Sequence, residues 1–307
     1  MAPLDLQLNG FGGVDFNADG LSLDDLRRAC GAIRASGGGR VLATVITDQF
    51  DRVVARIARL AELCAADADV AAVIAGIHVE GPFISPLSGF VGAHPAEHVI
   101  PADVAAARRL VDAGGGMVRM VTLAPEHDRG FATIRWLHER GIVVSAGHCD
   151  ASFGQLRDAV AAGLSCFTHL GNGCPLALHR HDNIIQRVLM LPELRWVTVI
   201  PDGVHVPPAI LGDYIRRIGV SRTIAVTDAT AAGGMGPGRF RLGGREVVVG
   251  ADGAAWAPDR AHLVGSTASM ADVRALLGRE IGLTPDEVEL VTAVNPARAA
   301  FGGGACT

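Results

Sequence analysis

Four polar residues each close an apolar, strand-like run. Glu80 ends VIAGIHVE, His148 ends IVVSAGH, His169 lies at the end of SCFTHL and Asp228 ends TIAVTD. Two imidazoles and a carboxylate are a donor set for one divalent cation, zinc first, with ferrous iron also compatible. Three protein donors leave a position open for water, the catalytic rather than the structural pattern. Asp228, a further carboxylate, suits general acid/base work. Blander roles exist: Glu80 as a surface acid, the histidines as structural residues, Asp228 as a turn or cap residue. Six of the seven residues before Glu80 are apolar or glycine, which disfavours a surface acid. Two histidines ending consecutive runs, in phase with a glutamate two runs earlier, favour a metal site.

Several neighbours carry chemistry of their own. Gly81 and Pro82 follow Glu80 directly and make a rigid turn behind the carboxylate. His78 shares the side-chain parity of Glu80, either as its partner or as a satisfied core histidine. His94 sits in the glycine-rich SGFVGAHP, a loop free to close over a ligand, or simply solvated. Asp202 and His205, in IPDGVHVPP, follow the seventh apolar run, so His205 is either a substrate contact or a cap. Arg180, between His179 and His181, is either a bidentate phosphate partner or part of a solvated basic turn. Cys166 is three residues before His169, faces the other side of a strand and is rejected as a ligand.

Positioning these side chains requires strands that end together. Eight apolar segments are present: 4–10, 40–47, 73–80, 117–125, 142–148, 165–171, 195–201 and 222–229. They are too continuously apolar for a half-exposed sheet and read as parallel strands covered by helices. Amphipathic helical patterns lie between most of them, beginning with LDDLRRACGAIRAS after a Ser22/Asp25 capping box. FDRVVARIARLAELCAA, ADVAAARRLVDAG and SFGQLRDAVAAGL follow the same pattern, with Gly114–Gly116 and Gly163 where helices should stop. Alternation of this kind predicts an α/β fold, a (β/α)₈ TIM barrel, with a doubly wound sheet as the runner-up. The glycine-punctuated region 238–257 predicts a β-hairpin insertion after strand eight, and two helical stretches close the chain. The chain reads as one hydrolase barrel domain over 1–307.

Composition narrows the chemistry. The 307 residues contain no lysine, which excludes a Schiff base, a Walker A loop and a metal pair bridged by a carboxylated lysine. A net charge of −5 without a long basic run gives no nucleic-acid footprint. No apolar run reaches the roughly 18 residues of a membrane span. The N-terminus lacks a basic n-region, and six cysteines (Cys30, Cys64, Cys149, Cys166, Cys174, Cys306) show no C-x-x-C pairing. Both features predict a reducing cytoplasm.

Taken in order, DLQLNGFGGVDFN, HVEGPF, GAHP, TLAPE, SAGHCDAS, THLGNG, PDGVHVPPAIL, VTDA, LVGST and NPARA resemble the N-acetylglucosamine-6-phosphate deacetylases of the amidohydrolase superfamily. The resemblance runs from about residue 4 to about residue 302. It implies a barrel, usually a homodimer, that removes acetate from a small amino-sugar phosphate. It further implies Glu80, His148 and His169 as metal ligands, Asp228 as catalytic acid/base and His94 as the group polarising the acetyl carbonyl. Ala93, Asn172, Gly173, Arg180, His205, Leu263, Val264 and Gly265 match the sugar-phosphate contacts.

Three departures accompany the likeness. Gln7 and Asn9 stand where most of the superfamily has His-x-His, as in the subgroup that works with one metal. Both halves of the family's small β-sandwich are missing, which reads as a genuine loss. Arg180 precedes His181-Asp182-Asn183 rather than Glu-Pro-Gly, which leaves the identity of the sugar open. Two rival functions follow: an amidohydrolase for a non-phosphorylated N-acyl compound, and an inactive paralogue that binds sugar phosphates.

Overall fold

All eight apolar runs form parallel strands: β1 (Leu4–Leu8), β2 (Arg40–Ile46), β3 (Ile74–Glu80), β4 (Val118–Leu123), β5 (Val143–Ala146), β6 (Cys166–Phe167), β7 (Trp196–Val199) and β8 (Thr223–Ala225). The structure, a computed structural model, describes residues 1–302, so Cys306 lies outside the described residues. Each strand pairs with the next in chain order. A bridge between Leu8 and Ala229 brings β8 back to β1, with Asn9 N–H on Ala229 O at 2.8 Å and Asp228 N–H on Gln7 O at 2.9 Å. The sheet is thus a nearly closed barrel, as the alternating pattern predicts.

Helices cover the outside: α1 (Leu23–Ala35), α2 (Phe50–Ala66), α3 (Val104–Ala113), α4 (Ala132–His138), α5 (Phe153–Ala161), α6 (Ile184–Leu189) and α7 (Pro208–Ile218). The Ser22/Asp25 box caps α1 in both directions, and Gly114 stops α3. Val41, Val45, Val79, Val121 and Val144 point outward into one apolar cluster with Leu26, Ile57, Leu60, Leu110 and Leu156. Burial on both faces is why these strands read as unbroken apolar runs.

The barrel interior is graded from one mouth to the other. At the strand N-terminal end it is apolar, built from Leu4, Leu6, Leu42, Met120, Val143, Cys166, Trp196 and Ile224. Above them lies a hydroxyl layer with a defined direction. The Leu6 carbonyl, which can only accept, takes the His78 Nδ1 proton at 3.0 Å. His78 Nε2 therefore accepts from Thr122 Oγ1 at 2.8 Å. Thr122 accepts from Thr168 at 2.8 Å, and Thr168 from Ser145 at 2.7 Å. Burial holds the His78 imidazole near pKa 4, hence neutral. His78 is the satisfied core histidine of the two readings open from sequence.

Beyond the barrel, β9 (Gly238–Leu242) and β10 (Arg245–Val249) make the predicted hairpin. A third strand, β11 (Ala255–Trp256), extends it to a three-stranded sheet. The two closing stretches are α8 (Met270–Arg279) and a broken helix, α9 (Pro285–Glu289), a π turn over Leu290–Val294 and α10 (Asn295–Phe301). Pro296 lacks an N–H for the regular ladder, which accounts for the irregular turn ahead of it. Ala297, Ala300 and Phe301 of α10 pack on the apolar interior cluster, so this helix plugs the mouth opposite the strand ends.

The seam between β8 and β1 depends on a buried acid. Asp5 accepts from Thr227 Oγ1 at 2.5 Å, Gln7 N–H at 3.1 Å and Thr227 N–H at 3.2 Å. Burial outweighs these bonds and raises its pKa from 3.8 to about 7. The folded protein therefore holds this proton more tightly than the unfolded chain does. The resulting stability is whole below pH 3.8 and is lost as pH rises through about 7. Asp5→Asn should remove roughly 4 kcal/mol of this pH-dependent loss. Urea denaturation from pH 4 to 8 should show a variant with a flatter stability profile than the wild type, and parallel profiles would refute the assignment.

Candidate active site

At the strand C-terminal mouth, the ligand atoms of Glu80, His148 and His169 all lie within 4.8 Å of one another, and all three residues are buried. Glu80 Oε1 is the focus. It lies 2.9 Å from His169 Nε2, 3.4 Å from His148 Nε2 and 2.9 Å from Gln7 Nε2. Burial alone would raise the Glu80 pKa, but the hydrogen bonds and charges of His148 and His169 hold it well below the usual value. Burial opposes charge on His169, whose contact with Glu80 nevertheless raises its pKa.

The donor set fits a cation. His148 Nδ1 lies 2.8 Å from the Phe90 carbonyl, an acceptor only, so this nitrogen carries the proton. With Nδ1 so engaged, Nε2 is the nitrogen that faces the Glu80 carboxylate, and a cation placed between the two would be bound by its lone pair. The Nδ1 of His169 is buried with no hydrogen-bond partner.

The backbone at these positions is unusual. His148, His169 and Asp228 have φ of 50°, 36° and 49°, the left-handed region that residues other than glycine rarely occupy. Each is held there by its neighbours. Ser85 N–H bonds to His148 O at 2.9 Å, His169 N–H bonds to Thr198 Oγ1 at 2.6 Å, and Asp228 is pinned by Gln7 O at 2.9 Å and Ser266 N–H at 2.8 Å. Such over-determined strain is characteristic of functional positions.

Asp228 faces the same mouth. Burial and the charge of Glu80 raise its pKa to about 6. Asn9 Nδ2 donates to its Oδ1 at 2.7 Å. Gln7 and Asn9, the departures from His-x-His, thus each hold one carboxylate. His94 Nδ1 is 2.9 Å from Thr47 Oγ1, and its Nε2 is 4.0 Å from Glu80 Oε2. Its ring meets that of His148 edge-on, with centroids 4.5 Å apart. Burial, followed by the neighbouring His148, keeps the His94 pKa well below normal.

The remaining sequence candidates divide. Ala93 packs against the three-stranded sheet, and its carbonyl accepts from the Arg245 guanidinium. Gly173 lies so close to His148 that a Cβ would sit 2.8 Å from the ring. Asn172 Nδ2 donates to His169 O at 3.2 Å. Gly265 abuts the Asp228 carbonyl, 2.7 Å from where its Cβ would be, after the paired residues Leu263 and Val264. His205 Nδ1 bonds Asp202 Oδ2 at 2.6 Å, and Asp202 Oδ1 caps Val204 and His205 N–H, each at 2.9 Å. Arg180 is exposed and, among the described residues, forms no ion pair or hydrogen bond, so it stands outside this contact network. Sequence reasoning passed over Thr47, although it closes the run RVLATVIT just as Glu80 closes its own.

No family model matches the chain. It is 34% identical to N-acetylglucosamine-6-phosphate deacetylase of Bacillus subtilis (strain 168), over 80% of this chain and 61% of that protein. It is 31% identical to N-acetylgalactosamine-6-phosphate deacetylase of Escherichia coli O157:H7, over 97% and 76%. Among solved structures, an aspartate-to-alanine variant of the Mycobacterium smegmatis N-acetyl-D-glucosamine-6-phosphate deacetylase, in complex with N-acetyl-D-glucosamine-6-phosphate, superposes with a TM-score of 0.88. The identity there is 35%, over 97% of this chain and 77% of that one. The chain belongs to the N-acetylglucosamine-6-phosphate deacetylase family. It spans 61% of the length of the Bacillus subtilis member and 54% of that from Lysinibacillus sphaericus.

Gly81 has φ 79°, and a Cβ there would lie 2.1 Å from Thr47 Oγ1. Gly81→Ala should therefore cost more than about 1 kcal/mol of stability and displace Thr47 from His94. A lowered melting temperature with reduced turnover is expected; unchanged values for both would contradict this packing.

Proposed function

We propose that this protein is a metal-dependent amide hydrolase that removes acetate from an N-acetylated amino-sugar phosphate, N-acetylglucosamine 6-phosphate foremost. The observation that carries this reading is the convergence of Glu80, His148 and His169 beside a separately held Asp228. Family membership supports the substrate class.

Glu80, His148 and His169 would hold the ion, with zinc preferred and ferrous iron fitting the same donors. A divalent cation there supplies acidified water, with a pKa of about 7 rather than about 15.7, and polarisation of the acetyl carbonyl. The amides of Gln7 and Asn9, turned towards the two carboxylates, support a single ion.

Asp228 accepts the proton of the attacking water, whose oxygen bonds to the acetyl carbon. His94 stabilises the oxyanion that develops on the carbonyl oxygen. Asp228 then delivers its proton to the nitrogen as the C–N bond breaks, releasing acetate and the free amine. The Asn9 amide keeps the Asp228 carboxylate oriented throughout. Ala93, Asn172, Gly173, His205 and the Leu263–Gly265 segment are assigned to the sugar, and Arg180 to its phosphate.

We further infer a homodimer. Leu87 and Leu176 are exposed to 57% and 106% on loops that meet where Gly89 packs on Pro175. A reducing compartment agrees with free Cys30, Cys64, Cys149, Cys166 and Cys174. No helix among the described residues is long and apolar enough to cross a membrane.

Asp228→Asn should retain the bound metal and lose about 10²–10⁴ in kcat for acetate release; near-normal kcat would overturn its role. Arg180→Ala should raise KM for the 6-phosphorylated sugar roughly 10- to 100-fold and leave the unphosphorylated sugar little changed. Equal effects on both would favour the non-phosphorylated substrate, the reading that the altered Arg180 loop supports.

A further inference from the structure

A neutral imidazole polarises a carbonyl only through the nitrogen that carries its proton, so the tautomer of His94 matters. Its Nδ1 faces the Thr47 hydroxyl, which has one proton to give and two acceptors within reach. His94 Nδ1 is at 2.9 Å, and the Glu80 main-chain carbonyl is at 3.3 Å. A 2.9 Å contact fits either direction, since Nδ1 could itself donate to the hydroxyl while the hydroxyl serves the carbonyl. The other side of the ring discriminates. His94 Nε2 lies 4.0 Å from Glu80 Oε2, where an N–H is attracted and a lone pair is repelled.

The surroundings leave Thr47 and His94 little freedom. Thr47 is 1% exposed at the end of β2, and the bare backbone of Gly81 makes the room its hydroxyl occupies. The next residue, Asp48, forms an ion pair at 2.8 Å with Arg56, which is buried in α2. On the other side, Ala93 is packed against the three-stranded sheet, and its carbonyl is held by Arg245. Both main chains are fixed, and the hydroxyl proton selects the tautomer.

We propose that Thr47 is a positioning residue. It donates its hydroxyl proton to His94 Nδ1 and so presents His94 to the pocket as an Nε2–H donor. The inference deepens the assignment of His94 as the group that polarises the acetyl carbonyl, and it rests on that assignment for its consequence in turnover.

The test is ¹⁵N NMR of the zinc-loaded enzyme carrying labelled histidine, with the His94 signals identified by their loss in His94→Gln. The expected spectrum has an unprotonated Nδ1 and a proton-bearing Nε2. In Thr47→Val, Nδ1-protonated His94 should appear and kcat should fall about 10- to 100-fold with KM nearly unchanged. Thr47→Ser, which keeps the hydroxyl, should restore both. A proton on Nδ1 in the wild type, or a Thr47→Val tautomer identical to it, would overturn the proposal. If the spectra are as expected but neither Thr47→Val nor His94→Gln lowers kcat, the tautomer stands and the catalytic assignment of His94 fails.

Discussion

A buried carboxylate is the constraint around which this molecule is organised. Glu80 is 3% exposed at the mouth of an apolar-walled barrel, where an isolated charge costs several kcal/mol. Two imidazoles and the Gln7 amide converge on one of its oxygens. The Phe90 carbonyl, by holding the Nδ1 proton of His148, leaves the other nitrogen facing that same oxygen and free to ligate a cation. Such a cluster is a donor set that a cation would satisfy, and a cation bound there would stabilise the convergence of the strand ends.

The barrel supplies the rigidity this requires. Its interior passes from an apolar floor plugged by α10, through the directed chain from Ser145 to Leu6, to the polar mouth. His78 and Thr168 belong to the middle layer and stand two residues and one residue before Glu80 and His169, so the hydroxyl chain sets the height of both. His148, His169 and Asp228 end their strands in left-handed conformations that hydrogen bonds on each residue enforce. The three-stranded sheet after β8 steadies the site from outside through Ala93 and Arg245.

Much of this was legible in the sequence because it follows from periodicity. Strands buried on both faces must read as unbroken apolar runs, and all eight did. A polar residue closing such a run has few structural reasons to be there, which singled out Glu80, His148, His169 and Asp228. What escaped was conformation and pairing. Nothing in SAGH or VTDA announces a positive φ, because the left-handed turn is imposed by hydrogen bonds from Ser85, Gln7 and Ser266, far away in the chain. Gln7 and Asn9 were noticed as missing histidines, whereas their amides in fact hold the two carboxylates. Thr47 went unremarked because a threonine at a strand end is ordinary until the ring it faces is known. The π turn before Pro296 and the third strand at Ala255–Trp256 likewise depend on tertiary contacts that local patterning does not encode.

One cation should join Glu80, His148 and His169. Anomalous diffraction from crystals of the purified, metal-replete protein, collected on both sides of the metal absorption edge, tests it most directly. A single peak per chain is expected, bonded to the Glu80 carboxylate and to one nitrogen each of His148 and His169. A peak elsewhere, no peak at that position, or a second peak beside Gln7 and Asn9 would contradict it.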